Sequence, residues 1–244
     1  VAPELPNTTG SGTVLAYGGA RTIANPIQYP TANNNQTLII GGTNQLSFSG
    51  PIALQGQDGL GTHNNRIFQV TNTAPTIFSG VVSDGGSTFG FTKTGAGVLY
   101  LNNANTYTGP TTNSAGLLAG SGSIAGSVVV ATNASIGGGS AAAIGTLTIG
   151  GDLTLVSGGG GFFRVNRSGF VSDKVSVTGS LSGSGTGTIT VTNLGGTLQV
   201  GDTFTLFNKA VSGGSTLAVS GGGVTWTNML GSNGTIQVIP GMAD

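Results

Sequence analysis

The feature that most restricts the fold of this chain is its division into short segments in which apolar and polar residues alternate. Examples are "QLSFSG" (45–50), "RIFQV" (66–70), "DLTLV" (152–156) and "TIQVI" (235–239). A period of two residues is that of a half-buried β-strand, and the Thr, Val and Ile in these segments favour extended backbone. Gly, Asn and Ser separate the segments, as turns require. We find no convincing helical stretch, so the sequence predicts an all-β protein.

The segments also recur at longer range, which favours a single-chain parallel β-helix, or β-solenoid, over a β-sandwich built from the same strands. Gly50, Gly80 and Gly109 each follow an aromatic residue and a Ser or Thr, at spacings of 30 and 29 residues. A period of this size without helices is typical of stacked coils. With about 22 residues per coil, we expect roughly 11 coils and a rod of about 50 Å.

The composition fits the narrow coils of such a solenoid. Glycine supplies 47 of 244 residues and charged residues only 6%, against a usual charged share of about 25%. Tight corners need glycine, and stacked like charges would repel from coil to coil. An ordinary charged surface is therefore replaced by Thr, Asn and Ser.

We expect three regions along the chain. Residues 1–20 form an N-terminal arm or cap that could add a strand to another subunit, residues 21–240 form the β-solenoid, and residues 241–244 form a tail. The terminal strands could fall outside the solenoid. A chain that begins at Val1 resembles the mature product of a cleaved precursor. The sequence contains no run of about 18 apolar residues, so it predicts no membrane-spanning helix.

One stretch, "GFTKTGAGVLYLNNANTYTGPTTNSAG" (90–116), resembles the autotransporter-associated β-strand repeat. The matching residues are Lys93, Gly95, Gly97, Leu99, Leu101, Asn105, Thr106, Tyr107, Gly109, Thr111, Ala115 and Gly116. The resemblance implies a passenger-type β-helix of an exported bacterial protein, at the cell surface or outside the cell. It implies no particular activity, and we expect these motif residues to be structural.

The reactive side chains are few and scattered, so we predict no catalytic, cofactor-binding or metal-binding residues. The chain has no Cys, and His63 lies near Asp58 in a turn-like segment without a nucleophile motif. The acids stand mostly beside Gly or Ser, as turn-capping residues do. They are Glu4, Asp58, Asp84, Asp152, Asp173, Asp202 and Asp244. A polysaccharide-active β-helix enzyme, which would need several acids in one cleft, is the least favoured of three main alternatives.

One local cluster, "FFRVNRSG" (162–169), could hold a carboxylate or a glycan through Arg164 and Arg167. We favour an arrangement in which Phe162 or Phe163 and Val165 face inward while the arginines cover the outside. Equal numbers of basic and acidic residues, seven of each, predict no nucleic-acid partner.

Two features point to self-assembly. The net charge is zero, and a solenoid ends in exposed strand edges unless these are capped. The candidate assembly residues are Val14, Leu15, Tyr17, Ile236, Val238 and Ile239. We therefore predict a non-enzymatic extracellular structural protein whose copies assemble into a filament, sheath or surface layer.

The alternative is a cell-surface adhesin or glycan-binding passenger domain, with surface glycans as its partners. An ice- or mineral-binding face built from aligned threonines, as in "TITVT" (188–192), is a lesser alternative. With so few titratable groups, folding should depend weakly on pH.

Overall fold

The computed structural model describes residues 10–29, 36–54 and 66–241. These residues contain 27 strands, numbered here in chain order. The chain winds in successive coils, and each coil adds a parallel strand to the sheets begun by the coil before it. The predicted all-β parallel solenoid is confirmed.

Two long parallel sheets form most of the solenoid wall. Sheet I contains, in spatial order, β1 (Gly10–Leu15), β4 (Gln36–Gly41), β7 (Arg66–Val70), β10 (Phe91–Thr94), β12 (Thr111–Asn113), β15 (Val128–Val130), β18 (Leu153–Leu155) and β22 (Leu181–Gly183). Sheet II contains β2 (Arg21–Ile23), β5 (Leu46–Phe48), β8 (Thr76–Phe78), β11 (Val98–Leu101), β13 (Gly116–Ala119), β16 (Ala134–Ile136), β19 (Gly160–Asn166), β23 (Thr188–Asn193) and β25 (Ala218–Gly221). A short strand, β20 (Val171–Ser172), pairs with β19 outside this parallel path.

The third wall consists of two shorter parallel sheets. Sheet IIIa contains β3 (Ile27–Gln28), β6 (Ile52–Ala53) and β9 (Val82–Ser83), and sheet IIIb contains β14 (Ser123–Ile124), β17 (Thr146–Ile149) and β21 (Lys174–Val177). The last strands, β24 (Thr203–Thr205), β26 (Thr225–Met229) and β27 (Thr235–Ile239), form an antiparallel sheet that we call the cap sheet. The helices are single turns: η1 (Arg167–Gly169), η2 (Gly214–Thr216) and α1 (Leu230–Asn233).

The coils vary in length more than the sequence period predicts. Gln36 pairs with Arg66, 30 residues later, whereas Thr111 pairs with Val128, 17 residues later. Sheet I accordingly has eight strands in the described residues, fewer than the roughly 11 coils expected. The variation also misled the glycine alignment: Gly50 and Gly80 turn the chain from sheet II to sheet IIIa, whereas Gly109 precedes a strand of sheet I.

The core is a column of side chains taken from alternate strand positions. In the first coils, aromatic rings stack edge to face, with centroid distances of 5.4 Å for Tyr29–Phe68 and 5.0 Å for both Phe68–Phe78 and Phe68–Phe91. Such pairs add to the stabilisation that comes from burying apolar area. Later coils are filled mainly by Leu, Ile and Val, with Phe163 against Phe207 at 5.3 Å.

The solenoid ends differently on its two sides. At the C-terminal side, the backbone of Ser212 bonds to Leu181 and Gly183 of β22, and Leu206 accepts a hydrogen bond from Val175 of β21. The Asn208 side chain also pairs with both backbone groups of Val177, at 2.9 and 3.1 Å. The segment around the cap sheet therefore binds backbone N–H and C=O groups that β21 and β22 would otherwise expose at their edges.

At the other side, β1 and β2 each pair with one neighbour only within the described residues. The predicted boundaries at residues 20 and 240 stay a prediction. β1, within the expected N-terminal arm, lies in register with β4 as part of sheet I.

Candidate functional site

One element departs from the solenoid path, a hairpin that we call the arm (residues 164–173). Strand β19 runs for seven residues, longer than the other strands of sheet II, and carries the chain past its neighbours. The turn η1 then reverses the chain, and β20 returns antiparallel, with Val165 opposite Ser172 and Asn166 opposite Val171. Within the described residues, this is the antiparallel pairing that interrupts the parallel sheets, since the others belong to the cap sheet.

The base of the arm is closed by a buried ion pair. Arg164 Nε lies 2.6 Å from Asp173 Oδ2, and Nη2 lies 3.0 Å from Oδ1, so the pairing is bidentate. Asp173 also accepts hydrogen bonds from the backbone N–H groups of Arg164 and Gly145, at 3.0 and 3.1 Å. The hydrogen bonds to Asp173 raise the pKa of Arg164, which keeps the guanidinium charged.

The tip of the arm is held by a second ion pair. Arg167 Nε donates to Asp202 Oδ2 at 2.8 Å, and the same oxygen accepts a hydrogen bond from the Gln199 backbone at 2.8 Å. The arm is thereby tied to the segment that leads into the cap sheet. Both ion pairs found in the described residues brace this one hairpin.

The braced tip presents an apolar surface to solvent. Phe170 is 62% exposed, and its backbone is left-handed, with φ of 50°. For a bulky residue this conformation costs about 1–2 kcal/mol. Val171 (46% exposed) and Leu194 (52% exposed) flank Asn166 on the outer face of the sheet. We call Phe170, Val171 and Leu194 the arm patch.

The arm patch is suited to apolar contact with a partner, since the charged groups beside it are not free to react or to bind an ion. The cations beside it are already paired with Asp173 and Asp202, and the Arg167 guanidinium also lies 5.5 Å from the Phe170 ring centroid. As predicted for this segment, Phe163 and Val165 are buried and both arginines extend from the outer face of the strand, although most of the Arg164 side chain is covered.

The apolar residues of the resemblance motif serve the core. Leu99, Leu101 and Tyr107 are fully buried, and the Tyr107 hydroxyl shares a 2.8 Å hydrogen bond with that of Thr111. Burial raises the pKa of Tyr107 above its ordinary value, so the phenol stays neutral. Gly95 has a φ of 78°, a backbone conformation that residues with a side chain rarely adopt.

Asn105 joins the two halves of the third wall, between sheets IIIa and IIIb. Its Oδ1 accepts a hydrogen bond from Val82 N at 2.9 Å, and its Nδ2 donates to Ser123 O at 2.9 Å. The backbone of Thr106 also donates to Val82 O at 2.9 Å. The side-chain amide of Asn105 thus links β9 and β14, which do not pair with each other directly.

Lys93 plays a similar part at the corner between sheets I and II. Its side chain is fully buried, and Nζ donates to Gly95 O at 3.0 Å and to Ala115 O of the next coil at 2.6 Å. Asn113, its partner in register, donates likewise to Gly116 O and to Ser135 O one coil further on. These side chains latch each corner onto the next.

The stretch that contains the resemblance motif matches a known family. The profile of the passenger-associated transport repeat covers residues 91–119. The chain carries an autotransporter-associated repeat. Over 111 residues, 46% of its length, the chain is also 33% identical to the adhesin BmaC autotransporter of Brucella suis biovar 1 (strain 1330). That alignment spans only 3% of the adhesin. No solved structure matches the chain.

These similarities indicate where the protein is located. A passenger of an autotransporter is exported, so the chain is an exported, cell-surface protein. In the described part of the chain, no helix is long and apolar enough to cross a bilayer.

The buried lysine of the transport repeat makes a pH dependence that composition alone does not predict. Burial lowers the pKa of Lys93 from 10.5 to about 8. Because this lies below the unfolded value, the ammonium form costs stability below about pH 8, and the cost shrinks as the pH rises towards 10.5. The neutral amine still has two N–H groups for its two carbonyl partners.

We expect the free energy of unfolding to rise by about 2 kcal/mol between pH 8 and pH 10. Urea unfolding at several pH values in this range measures it, and Lys93→Met should remove the rise. The same rise in Lys93→Met would assign it to another group.

The predicted acids within the described residues, Asp84, Asp152, Asp173 and Asp202, form no cluster of three. Asp84 caps a turn: it accepts hydrogen bonds from Gly86 N at 2.9 Å and from both the backbone and hydroxyl of Thr108 at 2.8 Å. Burial alone would raise the pKa of Asp84, but these hydrogen bonds outweigh it and hold the pKa below its ordinary value. Asp152 likewise accepts a hydrogen bond from Ser180 N at a turn. In residues 10–29, 36–54 and 66–241, no three acids or histidines form a metal-binding group.

His63, Asp58, Glu4 and Asp244 lie outside the described residues. Of the predicted assembly residues, Leu15 and Tyr17 are exposed near the N-terminal edge, at 60% and 89%. Val14 is partly buried against the core.

The other predicted assembly segment lies in the cap sheet. Ile236, Val238 and Ile239 belong to β27, whose two edges are already paired with β24 and β26. This strand offers no free edge to another chain.

Sequence reasoning missed the arm patch. Arg167 and Asp202 are 35 residues apart, so no local pattern links them. The available signal was the pair of arginines in "FFRVNRSG" (162–169), in a chain with only seven basic residues.

Proposed function

We propose that this chain is a non-enzymatic adhesin module of a surface-exposed passenger, and that the arm patch is its contact surface. The observation that carries the proposal is the bracing of the arm: in a chain with 6% charged residues, both ion pairs of the described residues fix the hairpin that presents Phe170. A partly exposed ion pair such as Arg167–Asp202 stabilises little, and a buried one such as Arg164–Asp173 loses much of its attraction to desolvation, so their concentration here favours a role in positioning. The similarity to an adhesin supports the same class of function.

The chemistry of the arm patch favours an apolar pocket on a protein partner. An exposed aromatic residue held in a strained backbone resembles the anchors that dominate protein interfaces. A glycan site would need several hydrogen-bonding groups around a concave surface, whereas this patch consists of exposed apolar side chains on a hairpin whose arginines are paired. Surface glycans are therefore the less favoured partner.

Phe170→Gly separates binding from stability. Glycine adopts the left-handed backbone without strain, so the variant should be as stable as the wild type or up to about 1 kcal/mol more stable. We expect its adhesion to fall by about 30-fold, the loss of an aromatic anchor worth about 2 kcal/mol. Beads coated with the purified chain would be tested on epithelial cells, and the melting temperature would be measured alongside.

Tyr17→Ser is the matched control, because Tyr17 is also an exposed aromatic residue but lies at the N-terminal edge. Equal adhesion of the wild type and Phe170→Gly would refute the proposed contact surface. Loss of adhesion after glycosidase treatment of the cells, but not after protease treatment, would transfer the role to glycans.

Assembly into a filament, sheath or surface layer is a second candidate. Within the part of the chain that the structure describes, β1 and β2 each pair on one side only, which favours this candidate because open strand edges can accept another chain. The closed edges of β21 and β22 at the other side weigh against head-to-tail stacking. Negative-stain electron microscopy of concentrated protein would show ordered polymers if this candidate is right, and discrete short rods if it is wrong.

A further inference from the structure

The outer face of sheet II carries a groove of about 480 Å³ that the adhesin proposal does not use. It is lined from β16, β19, β23 and β25 and from the turns beside them. The other lining residues are glycines and alanines, so the described residues that form the groove include no charged side chain. The polar lining residues are Asn133, Ser135, Thr186, Thr188, Thr190 and Thr216.

The register of sheet II explains why the surface is hollow here. Ser135 pairs with Gly160, and Thr188 pairs with Ala218, so each hydroxyl residue lies beside a residue with little or no side chain. A Cβ on Gly160 would overlap the backbone of Thr188 in the next coil. The close stacking of the coils therefore requires glycine at this position, and the space between Ser135 and Thr188 stays unfilled.

The polar side chains of the groove are available to a ligand. In the part of the chain that the structure describes, the hydroxyls of Ser135, Thr188 and Thr190 have no hydrogen-bond partner. The same is true of the exposed side-chain amide of Asn133, a residue whose backbone is left-handed with φ of 64°. Each hydroxyl can donate and accept a hydrogen bond, and an amide offers donors and an acceptor. The groove thus presents both kinds of group without charge.

An aromatic residue stands beside these hydroxyls. Phe162 is partly exposed on the outer face of β19 and pairs in register with Thr190, whereas its neighbour Phe163 is buried. The face of an aromatic ring carries partial negative charge, so it attracts the polarised C–H groups of a sugar ring. A pyranose has such an apolar face together with a rim of hydroxyls. The combination of Phe162 and the hydroxyl-lined hollow matches both.

Two observations narrow the class of ligand to a neutral saccharide. Arg164, two positions after Phe162 on β19, is held by a bidentate pair with Asp173, so its charge is not available to an anionic sugar. An extended peptide would need a free strand edge. The central strands of the groove, β19 and β23, are instead paired on both sides.

The threonines of "TITVT" (188–192) also bear on an ice- or mineral-binding face. They point outward on β23, as the alternation predicts. Their partners in register are Phe162 and Arg164 on β19 and Ala218 and Ser220 on β25. The threonine row is therefore one strand wide and lies along a hollow, which does not favour a flat repeating surface as its partner.

We propose that this groove binds a short neutral oligosaccharide, with the Phe162 ring against the apolar face of one sugar and the hydroxyls of Thr188 and Thr190 bonded to its rim. The four strands that the groove crosses span about 14 Å, which is room for a short oligosaccharide. An open groove with few partners implies a dissociation constant on the order of 1 mM, and many passengers on one surface would add to it by multivalency. The site is separate from the arm patch, where a protein partner is favoured, and does not depend on it.

Titration of the ¹⁵N-labelled chain with single saccharides tests this proposal. The neutral probes are maltotriose, cellotriose and lacto-N-tetraose, and sialyllactose is the anionic comparison. We expect at least one neutral probe to shift the amide resonances of residues 133–135, 158–160 and 186–190 in a saturable way below about 20 mM, and sialyllactose to bind more weakly. No such shift with any neutral probe, shifts centred on other residues, or tighter binding of sialyllactose would overturn the proposal.

Two variants assign the binding to the groove. Thr188→Val/Thr190→Val keeps the β-branched shape but removes both hydroxyls, and Phe162→Leu keeps an apolar side chain but removes the ring; each should weaken binding by about fivefold or more. Thr148→Val is the matched control, because Thr148 is an exposed outward threonine on β17 of sheet IIIb. Unchanged melting temperatures would establish that the variants fold, and wild-type affinity in both groove variants would refute the site.

The arm patch variant Phe170→Gly separates this proposal from the adhesin proposal. It should titrate with the saccharide as the wild type does, whatever its effect on adhesion to cells. Loss of saccharide binding in Phe170→Gly would place the saccharide at the arm patch and would overturn the groove as its site.

Discussion

Replacing Gly109 by alanine is expected to cost about 4 kcal/mol or more of unfolding free energy, which is a large share of the stability of an ordinary domain. Gly109 is buried at the corner that leads into β12, and a Cβ there would overlap the backbone of Thr88 and Phe89 at the same corner of the preceding coil. Gly126, at the same corner of the next coil, packs directly against Gly109. No flexible side chain is available to move aside, so the backbone itself would have to shift.

Gly183→Ala is the matched control for this prediction. At Gly183, on β22, an added Cβ would make ordinary contacts, at 3.6 Å from Val211 and 3.9 Å from Leu155 and Leu217. Urea unfolding of both variants should show a large loss for Gly109→Ala and a change within about 1 kcal/mol for Gly183→Ala. Similar losses at the two positions would mean that backbone entropy, and not the closeness of the coils, explains the glycines of this chain.

The contrast between these glycines shows what the sequence can predict about such a fold. Alternation at single strands, such as "QLSFSG" (45–50), predicts the inward and outward residues of β5 correctly, because the strand period is fixed by backbone geometry. The stacking of the coils is less predictable, since the loops between strands differ in length. Gly80 and Gly109 share a local pattern but lie at different corners.

The burial of the Lys93 side chain could also not be predicted from the local sequence pattern. A lysine in a polar stretch is ordinarily solvated, and full burial without an acidic partner is rare. The resemblance identified Lys93 as a motif residue, but its role depends on the carbonyl of Ala115, which another coil supplies. The same holds for Asn105, whose partners Val82 and Ser123 come from the coils on either side.

The cap shows that composition alone does not predict which end of a solenoid is closed. A solenoid sequence predicts open edges at both sides, but nothing in "TIQVI" (235–239) distinguishes a terminal coil from a strand that folds back. In the structure β27 is the central strand of the antiparallel cap sheet, with Ile236 and Val238 buried. For β21 and β22, the backbone of Leu206 and Ser212 and the amide of Asn208 provide the hydrogen bonds that a further coil would have provided.

Arg164→Met is expected to cost about 3–5 kcal/mol of unfolding free energy, since it leaves a buried carboxylate without its counter-ion. Asp173 is 1% exposed and would keep only the two backbone N–H groups of residues 145 and 164 as partners. Ala143 O would lose the hydrogen bond that Arg164 Nη2 donates at 2.7 Å. Arg167→Met, at the partly exposed tip, should cost only about 1 kcal/mol.

The double variant Arg164→Met/Asp173→Asn distinguishes a stabilising pair from a positioning one. Removing both charges ends the desolvation penalty, so part of the lost stability should return; the rest stays lost because an asparagine amide nitrogen cannot accept the backbone hydrogen bond that one Asp173 oxygen accepts. If the pair exists to hold the arm, backbone amides of residues 164–173 should nevertheless exchange hydrogen faster than in the wild type, because the bidentate link to Asp173 is gone. Recovered stability together with unchanged exchange in the arm would mean that strand pairing between β19 and β20 alone fixes the arm patch, and the positioning role of the ion pair would then be wrong.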